Sequence, residues 1–320
     1  MPFRSGFVAI IGRPNAGKST LLNALAGEKL AIVSPKPQTT RTRVLGVIHV
    51  PRKKGKPGAQ VVLIDTPGVH RPDTSLGRKM MRDVHEALNG SDLVLVIVDA
   101  QRKQPDTAED QSLLQLVKRA KTPAFLLLNK IDLLRAEKRQ LLPLMERYSR
   151  LHRFQQIIPI SARKREGLDL LVDELLQAMP EGPPYFSPDQ ITDQPARFMA
   201  AELVREQVLL ATSEEVPHST TVVVDQFEEG GRLTRIAATI YCEREGQKRI
   251  LVGHQGQMLK NIGTRARLQI EKMLGTRVFL ELFVKVRPHW RESRGFVEEL
   301  DWRRQLEHLV SLETGPASES

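Results

Sequence analysis

The run Phe7–Ile11 leads into Gly12-Arg13-Pro14-Asn15-Ala16-Gly17-Lys18-Ser19-Thr20, and this stretch narrows the possible folds more than any other. A short apolar run enters a glycine-bounded loop and leaves as an amphipathic helix, with the spacing GxxxxGK[ST]. Glycines let the backbone wrap phosphates with no Cβ in the way. The loop amides and the helix N-terminus then face the negative charge. In that arrangement Lys18 reaches the β- and γ-phosphates and Ser19 ligates Mg²⁺. A chance Gly-rich turn does not explain the full spacing in a strand–loop–helix context.

Further apolar runs follow at Val61–Ile64, Leu93–Val98, Ala124–Leu128 and Ile157–Ile160, separated by helical patterns such as Ser19–Ala26, Thr107–Ala120 and Leu168–Met179. This alternation predicts an α/β domain over residues 1–179, with a mostly parallel six-stranded sheet and helices on both faces. Arg43–Val50 is read as an extra edge strand, and the Lys/Gly-rich segment 52–59 as a mobile hairpin tip. Residues 180–195 are proline-rich and lack periodicity, which reads as an interdomain linker. From 196 to 300 the order becomes α-β-β-α-α-β, an α+β domain. Residues 301–320 read as an extension with a disordered end.

Four further loops complete a nucleotide site. Asp65-Thr66-Pro67-Gly68 closes a strand; its carboxylate can hold the Mg²⁺ shell and the Gly68 amide can sense the γ-phosphate. Asn129-Lys130-Ile131-Asp132 decides the base, because a fixed Asp132 carboxylate accepts both guanine N1–H and the 2-amino group. Adenine would leave it buried and unpaired. Asn129 is expected to tie this loop to the P-loop, the Lys130 stem to cover the base, and Ser161-Ala162 to offer an amide to guanine O6. Thr40, rather than Thr39, is expected to close over Mg²⁺ and the γ-phosphate, the alternative being that both only begin the edge strand. Catalysis is thus assigned to Lys18, Thr40, Gly68 and Asn15, and the metal to Ser19, Thr40 and Asp65. Val69 stands where Ras-like enzymes carry a water-orienting Gln, so intrinsic hydrolysis is expected to be slow. Asn15 has two readings: its carbonyl binds a monovalent cation such as K⁺ against the phosphates, or it only shapes the loop.

The chain's net charge is +10, which favours polyanions. Residues 243–291 hold eleven Lys/Arg and four Glu, net +7. Within them Gly253-His254-Gln255-Gly256 lies between two helical patterns, the layout of a type II KH domain, whose GxxG loop clamps single-stranded RNA. Ile250, Val252 and Ile262 are read as the apolar base groove, and the cluster Lys248, Arg249, Lys260, Arg265, Arg267, Arg287 and Arg291 as phosphate contacts. Trp290 either packs or stacks. The single cysteine, Cys242, excludes an internal disulfide framework and fits a reducing cytosol. No apolar run approaches the ~20 residues of a membrane span.

GRPNAGKSTLLNAL, QTTR, DTPG, NKID, ITDQPARFMAAELVRE and EREGQKRILVGHQG together resemble the Era family of bacterial GTPases, over about residues 5–290. The resemblance implies a GTP/GDP switch with Mg²⁺ and a role in maturation of the 30S subunit through binding near the 3′ end of small-subunit ribosomal RNA. It also implies a cytoplasmic, monomeric protein able to associate peripherally with the inner membrane. It offers no role for the 52–59 insertion or the tail. The rivals are a small-molecule phosphotransferase, disfavoured by NKID, a membrane adaptor whose basic face meets lipid, and a related GTPase of tRNA modification or the large subunit, disfavoured by the KH layout.

Overall fold

The computed structural model describes residues 2–52, 58–69, 72–102, 107–134 and 141–303. It divides into two compact units, one of Met1–Arg71 with Met80–Asp193 and one of Pro72–Lys79 with Gln194–Ser320. Most of the insertion at 52–59 and of the tail beyond Leu300 lies outside the described residues.

The first unit contains β1 (Arg4–Gly12), α1 (Lys18–Ala26), β2 (Val44–Val50), β3 (Ala59–Asp65), most of α2 (Ser75–Asn89), β4 (Leu93–Asp99), α3 (Ala108–Ala120), β5 (Ala124–Asn129), α4 (Leu141–Leu151), β6 (Gln156–Pro159) and α5 (Leu168–Ala178). The sheet order is β2-β3-β1-β4-β5-β6, with β2 antiparallel to β3 and the rest parallel. Every residue of β3 and β5 is buried, as covering on both faces demands. Each buried Val, Leu or Ile there contributes about 1.5–3 kcal/mol. The parallel register sets Ile10 beside Asp65, Gly12 beside Ile97 and Asp99 beside Asn129. The motif-bearing loops therefore leave the sheet at one edge, where ligands of open α/β sheets bind.

The segment read as a linker is not free. Through Asp193 it belongs to the first unit. The buried Gln60 side chain donates to Phe186 O (2.8 Å) and accepts from the amides of Tyr185 (2.7 Å) and Phe186 (3.0 Å). Val47 N donates to Ile191 O (2.8 Å), and Thr192 Oγ1 donates to Leu45 O (2.7 Å). The reason is the sheet edge: β2 presents backbone groups with no neighbouring strand, and an irregular segment can satisfy them. Proline content signals the absence of helix and strand, not the absence of contacts.

The second unit runs α6 (Ala196–Ala211), β7 (Thr221–Glu228), β8 (Leu233–Cys242), α7 (Glu245–Val252), α8 (Gln257–Leu274), β9 (Arg277–Val286) and α9 (Arg294–Glu299). Its sheet is β7-β8-β9, with β8 and β9 parallel across the α7–α8 crossover. The core joins Val224, Ile236, Ala238 and Ile240 to Val204 and Val208 of α6 and Ile262, Ala266 and Ile270 of α8. Trp290 packs rather than stacks: it is fully buried, and its indole N–H donates to Ser219 O (2.8 Å).

The first turn of α2 belongs to this unit. Leu76 N donates to Arg291 O (3.0 Å), Ser75 Oγ donates to Glu292 O (2.8 Å), and Lys79 pairs with Asp301 (3.0 Å). Arg291 is itself held by both oxygens of Glu243 (2.7 and 3.1 Å). No local pattern in residues 72–79 announces this membership.

Candidate functional site

Gly12 ends β1 and Lys18 opens α1, so the intervening loop exposes the helix N-terminus. Gly17 sits at φ 105°, and a Cβ there would run into the Asn129 side chain. Asn15, at φ 61°, donates from Nδ2 to Pro35 O (2.8 Å). Lys18 is buried, and its Nζ donates to Gly12 O (3.2 Å) and Arg13 O (3.1 Å). Arg13 turns away from the loop interior toward Glu109, Asp110 and Thr107 at the start of α3.

Three oxygens converge beside Lys18. Ser19 Oγ donates to Asp65 Oδ2 (2.6 Å) and lies 2.8 Å from Thr40 Oγ1, which lies 3.3 Å from the same Asp65 oxygen. Thr39 is elsewhere, bonded to Ser34 (2.9 Å) and Lys36 O (2.7 Å). The other Asp65 oxygen, Oδ1, is buried with no hydrogen-bond partner among the described residues. A carboxylate with a bare buried oxygen beside two hydroxyls is a hard-donor set that fits Mg²⁺. After Asp65 the chain is pinned to the P-loop: Thr66 Oγ1 donates to Ile10 O (2.8 Å) and Val69 N to Gly12 O (3.1 Å). Gly68 lies so close to Pro14 that a Cβ would stand 2.8 Å from its nitrogen. Val69 is buried in the core and offers water no polar group.

Burial pushes the Lys18 ammonium down to about 8, with Asp65 opposing the shift. Burial pushes the Asp65 carboxyl up to about 6, against Lys18 and the Ser19 and Thr40 hydroxyls. Since Asp65 is raised from 3.8 in the unfolded chain, the folded chain binds the extra proton between those values. That contribution is fully present below about pH 4 and is lost as pH rises through about 6, falling by ~1.4 kcal/mol for each pH step of one within the interval. Melting of the nucleotide-free chain across pH 4–7 should therefore shift in favour of Asp65→Asn relative to wild type as pH rises. A constant difference would contradict the burial described here.

The base loop is built by mutual restraint. Asn129 Nδ2 donates to Ala16 O (2.8 Å), and its Oδ1 accepts from Ala162 N (3.0 Å). Ser161 Oγ donates to Asp132 Oδ1 (2.6 Å), and Lys130 pairs with Asp99 (2.7 Å). Ser161-Ala162, expected to offer an amide to guanine O6, brace this loop. Ser161 N is taken by Glu166 O and Ala162 N by Asn129, and both residues are buried. They position Asn129 and Asp132. A cavity of about 520 Å³ joins the loops, lined among others by Asn15, Lys18, Ser19, Thr20, Thr40, Gly68, Asn129, Lys130 and Asp132. Leu133 and Arg163 also line it. No motif of their own marks these two, although each directly follows one.

In the second unit Gly253 (φ 72°), Gln255 (φ 48°) and Gly256 (φ 78°) make the sharp GxxG turn between α7 and α8. A cleft of about 370 Å³ starts at Gly256 and runs between α8 and β9, lined by Leu259, Lys260, Gly263, Thr264, Arg267, Leu280 and Leu282. Of the residues assigned to RNA, Gly256 and Lys260 line this cleft. Ile262 is corrected: it is 1% exposed and belongs to the core stripe with Ala266 and Ile270. Ile250 is 51% exposed on α7, Val252 is half-buried, and neither is among the cleft's lining. Arg287 stacks over the Phe296 ring (3.8 Å), outside that lining. The apolar walls are Leu259, Leu280 and Leu282, and Gly263 lets α8 approach Leu282.

Residues 7–130 match the family described as 50S ribosome-binding GTPase, and residues 215–291 match the KH domain family. The chain is 50% identical over 302 residues to GTPase Era of Syntrophus aciditrophicus, covering 94% of this chain and 95% of that protein. The chain belongs to the GTPase Era family. It is also 49% identical to GTPase Era of Ruminiclostridium cellulolyticum, covering 95% of this chain and 99% of that one. Among solved structures, it is similar to a variant of Aquifex aeolicus Era bound to GDP and AlF₄⁻ (TM-score 0.88, 40% identity, 93% of this chain and 99% of that one). It is equally similar to Era in complex with MgGDPNP and nucleotides 1506–1542 of 16S ribosomal RNA (TM-score 0.88, 41% identity, 94% and 99% covered). Era-family membership makes the P-loop unit a GTPase domain and the second unit a KH domain. It favours neither the phosphotransferase nor the lipid-adaptor reading. No helix among the described residues is long and apolar enough to cross a membrane.

Proposed function

We propose that this chain is a slow GTP-driven switch that binds single-stranded small-subunit ribosomal RNA in its KH cleft and assists maturation of that subunit in the cytoplasm. The observation that carries the switch is the convergence of Ser19, Thr40 and Asp65 around the bare Asp65 oxygen. Mg²⁺ bound there would neutralise charge on the β- and γ-phosphates. Lys18 exchanges the carbonyls of Gly12 and Arg13 for phosphate oxygens. Thr40 belongs to the 34–40 loop and Gly68 to the Asp65–Val69 loop, so both loops become ordered by the γ-phosphate and released by its loss. Asp132, held by Ser161, selects guanine.

The second observation is the membership of residues 72–79 in the KH unit, only a few positions beyond Gly68. A change at Gly68 is thereby a change a few residues from structure that the KH unit holds. In the cleft, the GxxG turn takes the RNA backbone, and Leu259, Leu280 and Leu282 take bases. The test is RNA binding with GTP, GDP or no nucleotide, comparing a single-stranded ribosomal 3′-end oligonucleotide with a scrambled one. Preference for the ribosomal strand, stronger with GTP, is expected. Gly256→Asp adds a carboxylate in open space at a left-handed position that Asp tolerates, and should abolish that preference while leaving GTP hydrolysis intact. Equal affinity in all nucleotide states would sink the coupling.

Val69 orients no water, so a monovalent cation is proposed to supply the missing charge, held by the Asn15 amide oxygen beside the Pro35 carbonyl that its Nδ2 already contacts. Replacing Na⁺ by K⁺ at fixed ionic strength should raise the hydrolysis rate in wild type and not in Asn15→Ala.

A further inference from the structure

Positive charge is dense in several stretches of the chain, and only one of those weighed below lies in the KH unit. Residues 118–123 and 141–155 hold six Lys/Arg and one Glu, net +5. With the net +7 of residues 243–291 they exceed the chain's +10, so everything else is net −2. The sheet brings the two short stretches together. Strands β4, β5 and β6 are parallel neighbours, so α3 and α4 run side by side and end at the same edge of the sheet. There Val94 N donates to Pro123 O (2.9 Å) and Gln155 N to Ala124 O (2.9 Å), which joins the turns that follow the two helices. Lys118 lies close enough to His152 to help lower its pKa, after burial.

Lys118, Arg119, Lys121, Arg147, Arg150 and Arg153 are all exposed on this end. The acidic residue among them, Glu146, is 73% exposed and meets Arg150 at 3.8 Å. Lys118, Arg119, Lys121 and Arg153 form no ion pair among the described residues. Cations at helix C-termini are ordinarily explained by the helix dipole, but two such ends supply only about one negative charge. Net +5 exceeds that several-fold, so the helix dipoles do not account for it.

We infer that the paired C-terminal ends of α3 and α4 form a second nucleic-acid surface, which takes the sugar–phosphate backbone of structured RNA without reading sequence. The inference rests on the RNA-binding reading only for the choice of polyanion. A lipid occupant is disfavoured because, among the described residues, no large apolar side chain is exposed beside these cations; the exposed Leu142 lies at the other end of α4. Interfacial membrane helices instead insert Trp, Phe or Leu beside their Lys and Arg. The surface also lies on the edge of the sheet opposite the nucleotide loops, so occupying it leaves the catalytic loops untouched.

The test uses the full chain and three probes: a blunt RNA duplex of two helical turns, the single-stranded 3′-end oligonucleotide, and vesicles rich in phosphatidylserine. The variant Lys118→Gln/Arg119→Gln/Arg150→Gln/Arg153→Gln should bind the duplex about tenfold more weakly at physiological salt, and its log–log salt slope should fall by about three. Binding of the single-stranded oligonucleotide, GTP hydrolysis and melting temperature should not move. The charge-conserving swap Lys118→Arg/Arg119→Lys/Arg150→Lys/Arg153→Lys should bind duplex like wild type. Unchanged duplex binding by the Gln variant overturns the proposal. So does loss of duplex binding in the charge-conserving swap, or loss of vesicle binding with duplex binding intact. If the oligonucleotide fails to bind any chain while duplex binding responds as stated, the cleft reading falls and this surface stands.

Discussion

Lys18→Ala is expected to lower GTP hydrolysis by about a thousandfold while leaving the nucleotide-free fold at least as stable as wild type. Both halves follow from the same geometry. Lys18 is the buried cation placed to meet charge on the transferred phosphoryl group, and removing one such preorganised donor typically costs about 10²–10³ in rate or more. Without nucleotide, that ammonium is desolvated and satisfied only by two loop carbonyls and the nearby Asp65. Its burial depresses its pKa to about 8, a sign that the empty site holds the charge at a loss. Deleting it removes that penalty. Single-turnover hydrolysis and melting with and without GDP check the two halves separately. A variant that hydrolyses normally would remove Lys18 from the phosphate site. One that is inactive and also unfolds would make the lysine structural.

Asp132→Asn is expected to weaken GTP binding about a hundredfold or more and to favour xanthosine triphosphate in its place. The carboxylate accepts from two guanine donors, and an amide presents a donor to one of them, leaving a buried clash of like groups. Xanthine carries an oxygen where guanine carries the 2-amino group, so the same amide becomes complementary. Ser161 Oγ, now 2.6 Å from Asp132 Oδ1, can accept from or donate to an amide and should keep the loop in place. Competition binding with the two triphosphates reads the outcome. Retention of GTP preference would mean that Asp132 is a loop brace and that guanine is chosen elsewhere.

What the residues disclose by themselves is whatever is local. The P-loop, DTPG and NKID each combine a strand end, a turn and a ligand group within a few positions, so spacing alone predicts their geometry. The choice of Thr40 also depends on one short window. The KH cleft is harder because its walls come from two elements whose residues alternate with core positions. Ile262, Ala266 and Ile270 repeat every four residues, a helical core stripe that is visible in the sequence and places Ile262 inward. Leu280 and Leu282 sit on β9, whose alternation shows that they share a face, but not that α8 leaves them a gap. The 180–193 segment misleads for another reason: its contacts satisfy the backbone of β2, and backbone needs leave no trace in side-chain patterns.

The KH unit is discontinuous along the chain. Its buried Leu76 and Lys79 are encoded more than a hundred residues before the rest of it, within the GTPase sequence. A fragment cut at the proline-rich segment would therefore take Leu76 from its neighbours and leave Asp301 facing an empty place where Lys79 belongs. During synthesis the first turn of α2 must likewise wait for residues 291–301 to emerge before its partners exist. Dissection experiments on this chain are best made by substitution in the whole polypeptide, where these contacts are kept.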